Sequence, residues 1–359
     1  MPHPTLTIAC TLAILALIPA LSSLYREFLD HTGARSSALL TASIALSAFA
    51  LWLVVSAFIP EVAGAPLQLP TASLAALSGF LASLTVRDTT ARVLPALLFS
   101  LAWTLVVFVP IAVVVLFPAA VGLGPADGPL DLGGALPVHA AVGAGAIVVL
   151  TVARGWSVDD RSHARPHSWL LLLSGLVIWV CGILCLAGLE LGVDSVVTPR
   201  IVLNAIVAPV FGSIAWLVVQ RIRSATTTAT TAVAGLVSGL VAISAGAASF
   251  TALWAGVTGA AAGFASALFF FRRYERTGRH AWFIVAAHLM AAVIGLLMVG
   301  LFGTDFGFIY NGQTDLIRVQ FLGLLTTVVW SGGVSIVLWL AVRGAARREA
   351  ARVRERAAS

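Results

Sequence analysis

The chain has 359 residues, 60% of them hydrophobic and 10% charged, and its mean hydropathy of +1.02 excludes an ordinary soluble domain and marks an integral membrane protein. The formal net charge is +6, and every basic residue is an arginine. No basic groove interleaved with aromatics suggests nucleic acid, and no GxSxG, HExxH, P-loop or dinucleotide-binding pattern stands in a suitable context, which argues against an enzyme, a cofactor or an ATP-driven pump.

Apolar runs long enough to cross about 30 Å of hydrocarbon at about 1.5 Å per residue fall near 5–24, 36–59, 71–86, 92–118, 134–153, 168–190, 200–220, 230–249, 251–271, 281–303 and 319–342. They predict an all-α polytopic membrane bundle of eleven transmembrane helices. Span 1, TLTIACTLAILALIPALSSLYREF, carries Pro19 near its inner end, where a proline either kinks a membrane helix or marks its terminus. It lacks the positive n-region of a signal peptide and reads as retained. Span 3 holds Ser73, Ser78 and Ser83 among alanines, a small-residue surface suited to close helix packing. Span 4 contains Trp103 and Pro110, and the Gly/Pro-rich outer loop after it delivers Asp131 to the mouth of span 5, DLGGALPVHAAVGAGAIVVL. The polar loop GWSVDDRSHARPHS joins spans 5 and 6. Spans 8 and 9 are nearly fused and dense in Gly, Ala and Ser, again a packing surface. Cys10, Cys181 and Cys185 all lie within spans, and the last two stand four apart on one helix face; this argues against a disulfide or metal framework.

Arginine placement orients the chain. With the N-terminus outside, 19 arginines fall in inner loops and the tail, and only Arg200 and Arg318 fall outside, the bias expected of a correct topology. The C-terminus is then cytoplasmic, in the cell membrane, and the Arg-rich tail of residues 344–359 reads as lying against an anionic inner leaflet.

Residues 1–343 form one membrane domain. Five spans precede the polar loop (about 5–154), five follow (about 168–303), and an extra helix covers about 319–343. The two sets of five must have opposite orientation, as an inverted repeat requires. His139 falls in the last span of the first set and His288 in the last span of the second. Each follows a polar residue by eight, Asp131 and His280 respectively, which at the helical rise puts each about 12 Å into its span, from opposite sides. An intramembrane imidazole either carries function or is a buried histidine bonded to a carbonyl. The repeat positions favour two imidazoles side by side in a pathway. Asp131 suits a helix start, where a carboxylate satisfies free N–H groups and favours the dipole; it would also attract cations to the outer mouth. Asn204 and Gln320 read as interhelical hydrogen-bonding groups.

These stretches, taken together, resemble the ammonium transporter / Rhesus protein family. The resemblance lies in Asp131, Gly133, Gly134 and Val138-His139 of span 5, and in His288, Gly295 and Gly300-Leu301-Phe302 of span 10. Span 1 adds Ile18-Pro19 and Tyr25, without the glycines the family places there. Span 7 has Leu203-Asn204, span 8 Gly239-Leu240-Val241, and span 11 Val319-Gln320 and Val329-Trp330-Ser331-Gly332. The likeness is collinear over nearly the whole chain. It implies a homotrimer, each subunit with a narrow apolar pore crossed by two hydrogen-bonded imidazoles, here His139 and His288, conducting ammonia or ammonium.

The departures lie at the pore mouth and gate. Where the family has a recruitment tryptophan, this chain has Leu116, with Phe117 as a stand-in; its serine corresponds to Leu189, and its gating phenylalanines to Ala75 and Cys185. Trp179 and Glu190 are nearby candidates for a differently built cation–π or charged mouth, although Glu190 also suits a solvated helix end. The acidic pair expected before the second histidine is Arg279-His280. The tail lacks the pattern of members that engage a PII-type signal protein, which argues against that partner. Three functions fit these residues: a channel or transporter for ammonia, ammonium or methylamine; a non-conducting member serving as sensor or accessory subunit; and a pore for another small neutral molecule.

Overall fold

The computed structural model describes residues 4–26, 34–87, 93–124, 127–153 and 168–358, and the side chains of all of these except 34–37, 93 and 346–358. The polar loop expected at the chain's midpoint, together with His3, His31, His163 and His167, lies outside the described residues apart from Ser168.

The described residues form eleven main apolar helices and no strand. They are α1 (Pro4–Arg26), α2 (Ala34–Ser56), α3 (Gln68–Arg87), α4 (Val93–Leu116, with a π-helical turn at Thr104–Phe108), α5 (Ala135–Val152, opening on a π-helical turn at Ala135–Ala140) and α6 (Ser168–Leu189). Then come α7 (Val197–Ser224), α8 (Ala229–Ser244), α9 (Ala252–Thr277), α10 (Trp282–Phe302, with a π-helical turn at Val285–Met290) and α11 (Asp315–Ala358). Ten are long and apolar enough to cross a membrane, and α8 is a shorter apolar helix of 16 residues.

Two boundaries differ from the sequence expectation for identifiable reasons. Span 8 stops at Ser244 instead of continuing to 249, because the carbonyls that would extend it have other donors. Gly133 N–H donates to the Ser244 carbonyl (2.9 Å) and Leu132 N–H to that of Ala245 (3.1 Å), while Asn204 Nδ2 donates to the carbonyls of Ala247 (2.9 Å) and Phe250 (2.7 Å). The nearly fused spans are thus parted by a turn that is bonded from both sides, and α9 restarts behind Thr251, whose hydroxyl caps Trp254 N–H. At the other end, α11 does not stop near 343 but runs on to Ala358, since RGAARREAARVRERAA is built of strong helix formers.

The interior comes from matching members of the two sets of five. Every residue of α3 from Pro70 to Val86 is buried, and the small residues of span 8 serve close backbone approach: a Cβ on Gly235 would stand 2.5 Å from the Gly212 carbonyl oxygen of α7. The outer helices α2, α7 and α11 present large apolar residues such as Leu46, Phe211 and Val329, as surfaces facing lipid would.

Candidate functional site

The site begins with an aspartate that starts a helix. Asp131, 8% exposed, accepts the Ala135 N–H at Oδ1 (2.7 Å) and the Leu136 N–H at Oδ2 (2.8 Å), satisfying two donors that a helix N-terminus leaves free. Gly134 between them adopts φ +74°, which glycine takes without steric cost. Pro137 falls in the first turn, where a missing N–H deprives nothing. The first turn is π-helical, with Ala141 N–H reaching back to the Leu136 carbonyl. His139 sits inside it. His288 sits in the equivalent π-helical turn of α10, so each imidazole is carried by a local widening of its helix, a feature common at functional sites.

The two rings meet. His139 Nδ1 lies 2.9 Å from His288 Nδ1, with ring centroids 5.0 Å apart and planes within 10° of parallel. On its other side His288 Nε2 bonds the Tyr25 hydroxyl at 2.5 Å, and Tyr25 at the end of α1 is 1% exposed, with Phe283 packed on its ring. These bonds select a tautomer for each ring. If His288 donated from Nε2, the Tyr25 proton would lack a partner among the described residues. With Tyr25 O–H donating to Nε2, His288 donates from Nδ1 to His139 Nδ1, and His139 is left with its proton on Nε2, which has no bond to a described residue. Every proton in the chain Tyr25, His288, His139 then has a place, and His139 offers one donor onward.

That donor adjoins a cavity of about 60 Å³ lined by both histidines and mostly by Leu, Ile, Val and Gly. A water-sized molecule needs at least about 10–15 Å³ of such space, so a short file of small molecules fits. The lining comes from α1 and α6, α3 and α8, and α5 and α10, the first, third and fifth helices of each set. Besides the imidazoles its polar side chains are the Cys185 thiol and the Ser244 hydroxyl, and the latter already donates to the Val241 carbonyl at 2.8 Å. Such a lining offers a passing solute few hydrogen bonds and no fixed charge.

The remaining expected residues are placed as follows. Asp131 lies outside this cavity, on a separate pocket of about 640 Å³ that also touches Asn311, Gln313 and Asp315. Phe117 is 7% exposed and packs against Trp52, centroids 5.9 Å apart. Trp179 turns toward α7, donating to the Ala205 carbonyl at 3.0 Å. Leu189 is buried at 5% and, like Phe117 and Trp179, is not among the cavity lining. Glu190 accepts the Thr198 hydroxyl at 2.8 Å. Asp194 in the same loop accepts the N–H groups of Val196 and Val197, and these hold its carboxyl below the usual range. Gln320 Nε2 donates to the Leu130 carbonyl at 2.8 Å, tying α11 to the segment that carries Asp131. Arg279, where an acidic residue was expected, donates to the carbonyls of Leu150 (3.0 Å) and Ala153 (3.4 Å) at the end of α5.

Sequence reasoning missed two features here. Tyr25 entered only as part of a resemblance, and its bond to a residue 263 positions away has no sequence signal beyond a polar aromatic at the end of an apolar span. The π-helical turns have none.

The sequence model described as the Ammonium Transporter Family matches residues 39–348. An ammonium transporter of Mycobacterium tuberculosis (strain ATCC 25618 / H37Rv) is 27% identical over 230 residues, 60% of this chain and 47% of its own. One of Corynebacterium glutamicum is 27% identical over 221 residues, 58% and 46% of the two chains. The chain therefore spans about half the length of the curated relatives it matches. Among solved structures, Mep2 of Saccharomyces cerevisiae is similar with a TM-score of 0.80 at 17% identity, covering 95% of this chain and 87% of that one. A structure described as a sensor Amt protein gives 0.78 at 16% identity, covering 96% and 93%. At these identities the structures speak for the fold alone. The family match, which takes in most of the eleven helices, speaks for descent: the chain belongs to the ammonium transporter family, whose members are membrane transporters and not enzymes.

Proposed function

We propose that this protein conducts ammonia equivalents, supplied as ammonium or methylammonium, across the cell membrane through the cavity that His139 and His288 line. The observation that carries the reading is the 2.9 Å bond between the two imidazoles in an otherwise mostly apolar space between membrane helices. Ammonium is strongly hydrated, and an apolar conduit without a fixed counter-charge disfavours it as an ion. Deprotonation at the mouth yields ammonia, which is small, neutral and able to exchange hydrogen bonds with the unbonded His139 nitrogen. The neutral, mutually bonded imidazoles lend that bond without trapping a charge. Asp131, bonded by backbone N–H groups beside a separate pocket, attracts cations without itself lining the conduit. The N-terminus lies outside and the C-terminus in the cytoplasm, and three copies assemble as the family implies. The arginine-rich end of α11 follows the anionic leaflet.

The test is an ammonium gradient imposed on liposomes holding the full chain, with internal pH recorded. Flux above that of protein-free lipid, reduced in His139→Ala and His288→Ala, supports the reading; flux equal to lipid overturns it.

A sensing role is the second reading, because the Tyr25 hydroxyl occupies Nε2 of His288 and closes the histidine chain on that side. A structural neighbour is itself described as a sensor. An ammonium-dependent change in tryptophan fluorescence without flux would favour it. Conduction of another small neutral molecule would show as competition in the same liposomes.

A further inference from the structure

We propose that Cys10 and Cys185 form a two-coordinate site for a soft divalent metal ion, opening onto the cavity that holds the histidines. Cys10 on α1 is fully buried, and Cys185 on α6 is 7% exposed. The Cys10 Sγ–H donates to the Cys185 carbonyl at 3.5 Å, which brings the two cysteines together across α1 and α6. Gly188, one turn nearer the end of α6, makes the approach possible: a Cβ there would stand 2.6 Å from the Cys10 Cβ. Both thiols are free. Cys185 also lines the cavity beside His139 and His288, so a small neutral species inside it reaches sulfur. The pairing runs across two helices, unlike the neighbouring Cys181 and Cys185 on one.

Ligand number and charge select the ion. Thiolate sulfur prefers soft metals. Among the described residues no group of three His, Cys, Asp or Glu converges to hold a metal, so tetrahedral zinc lacks its donors, whereas a linear ion needs only two. Two thiolates on a univalent ion would leave a net negative charge in hydrocarbon, which is costly. Two thiolates on a divalent ion leave none. Mercuric ion is both divalent and content with two sulfurs, and as HgCl2 it is neutral enough to enter an apolar space. The exchange balances without redox: HgCl2 and two R–SH give Hg(SR)2 and two HCl. Both S–H bonds are replaced by Hg–S bonds, and both protons leave with chloride. Metal binding is independent of what the cavity conducts; only an effect on flux rests on the proposed function.

The experiment uses the full chain and mercuric chloride. After addition of one equivalent, free thiols are counted by alkylation and mass spectrometry. Two thiols should be protected per mercury in the native sequence and in Cys181→Ser. In Cys10→Ser and in Cys185→Ser, a competing small thiol should strip the metal at least roughly tenfold faster, because one of the two Hg–S bonds is gone. Protection of a single thiol, protection involving Cys181, or equal retention in the two variants would overturn the site. In liposomes, mercuric chloride should stop ammonia flux in the native protein and in Cys181→Ser, and should not reduce whatever flux Cys185→Ser retains. Absence of flux before any metal is added would defeat the transport reading and leave the thiol count to decide the site. Protected thiols with undiminished native flux would separate the site from the conduit and overturn its opening onto the cavity.

Discussion

A Cβ on Gly143 would stand 2.5 Å from the Cβ of Leu289 and 2.6 Å from its backbone nitrogen. The backbone of α5 therefore touches α10 one turn beyond His139 and one residue beyond His288, and this contact lets the imidazoles approach to 2.9 Å. Gly143→Ala must push the helices apart. The expected cost is about 1–3 kcal/mol, as for other overpacked interiors, with loss of the imidazole bond. Thermal unfolding in detergent and imidazole nitrogen NMR check it; a bonded pair at native stability would contradict it.

His139→Ala and His288→Ala are expected to differ. Removing His139 deletes the ring that offers its free nitrogen to the cavity, while His288 keeps its bond to Tyr25. Removing His288 breaks two bonds at once and strands a buried hydroxyl. The second variant should be the less stable by about 1–3 kcal/mol; His139→Ala should lower flux about tenfold or more, the equivalent of one lost hydrogen bond of about 1.4 kcal/mol to the permeating molecule, and His288→Ala should lower it by leaving the His139 ring unheld. Stopped-flow pH recording in liposomes and denaturation curves separate the two effects.

Tyr25→Phe removes the donor that assigns the tautomers. In the native protein His288 should carry its proton on Nδ1 and His139 on Nε2, and in the variant His288 should populate both forms. Nitrogen chemical shifts of the two rings read this directly. Identical shifts in the native and variant proteins would show that Tyr25 does not set the order.

Asp131→Ala leaves the Ala135 and Leu136 N–H groups without their acceptors in a buried turn, at an expected cost of about 1–3 kcal/mol. Asp131→Asn keeps one acceptor oxygen and should recover part of that loss. If the carboxylate also draws cations to the pocket beside it, Asp131→Asn should raise the ammonium concentration for half-maximal flux more than it lowers the maximal rate. Equal stability of the two variants would argue against the capping role.

Much of the architecture was legible in the sequence because a bilayer demands long apolar helices. The matched positions of His139 and His288 could be read from counting spans, since a repeat of opposite orientation brings equivalent helices together. The end of α8 could not: its carbonyls are taken by Asn204 and by Leu132 and Gly133, partners distant in sequence. Nor could the direction of Trp179, whose indole serves the Ala205 carbonyl; apolar spans have nearly uniform faces, so periodicity says little about which side turns inward. The run of α11 past 343 was hidden for another reason. Arginine and glutamate end the apolar span and read as a charged tail, yet they favour helix nearly as readily as leucine does.

The π-helical turns make length, as well as chemistry, a determinant of this site. A turn closed five residues back holds one residue more than the regular helix around it, and each residue rotates the chain by about 100°. Deleting a single alanine from Ala135–Ala140 or Val285–Met290 would keep both histidines in the polypeptide and swing one ring away from the other. Loss of one codon thus undoes the imidazole pair with every side chain of the site still present.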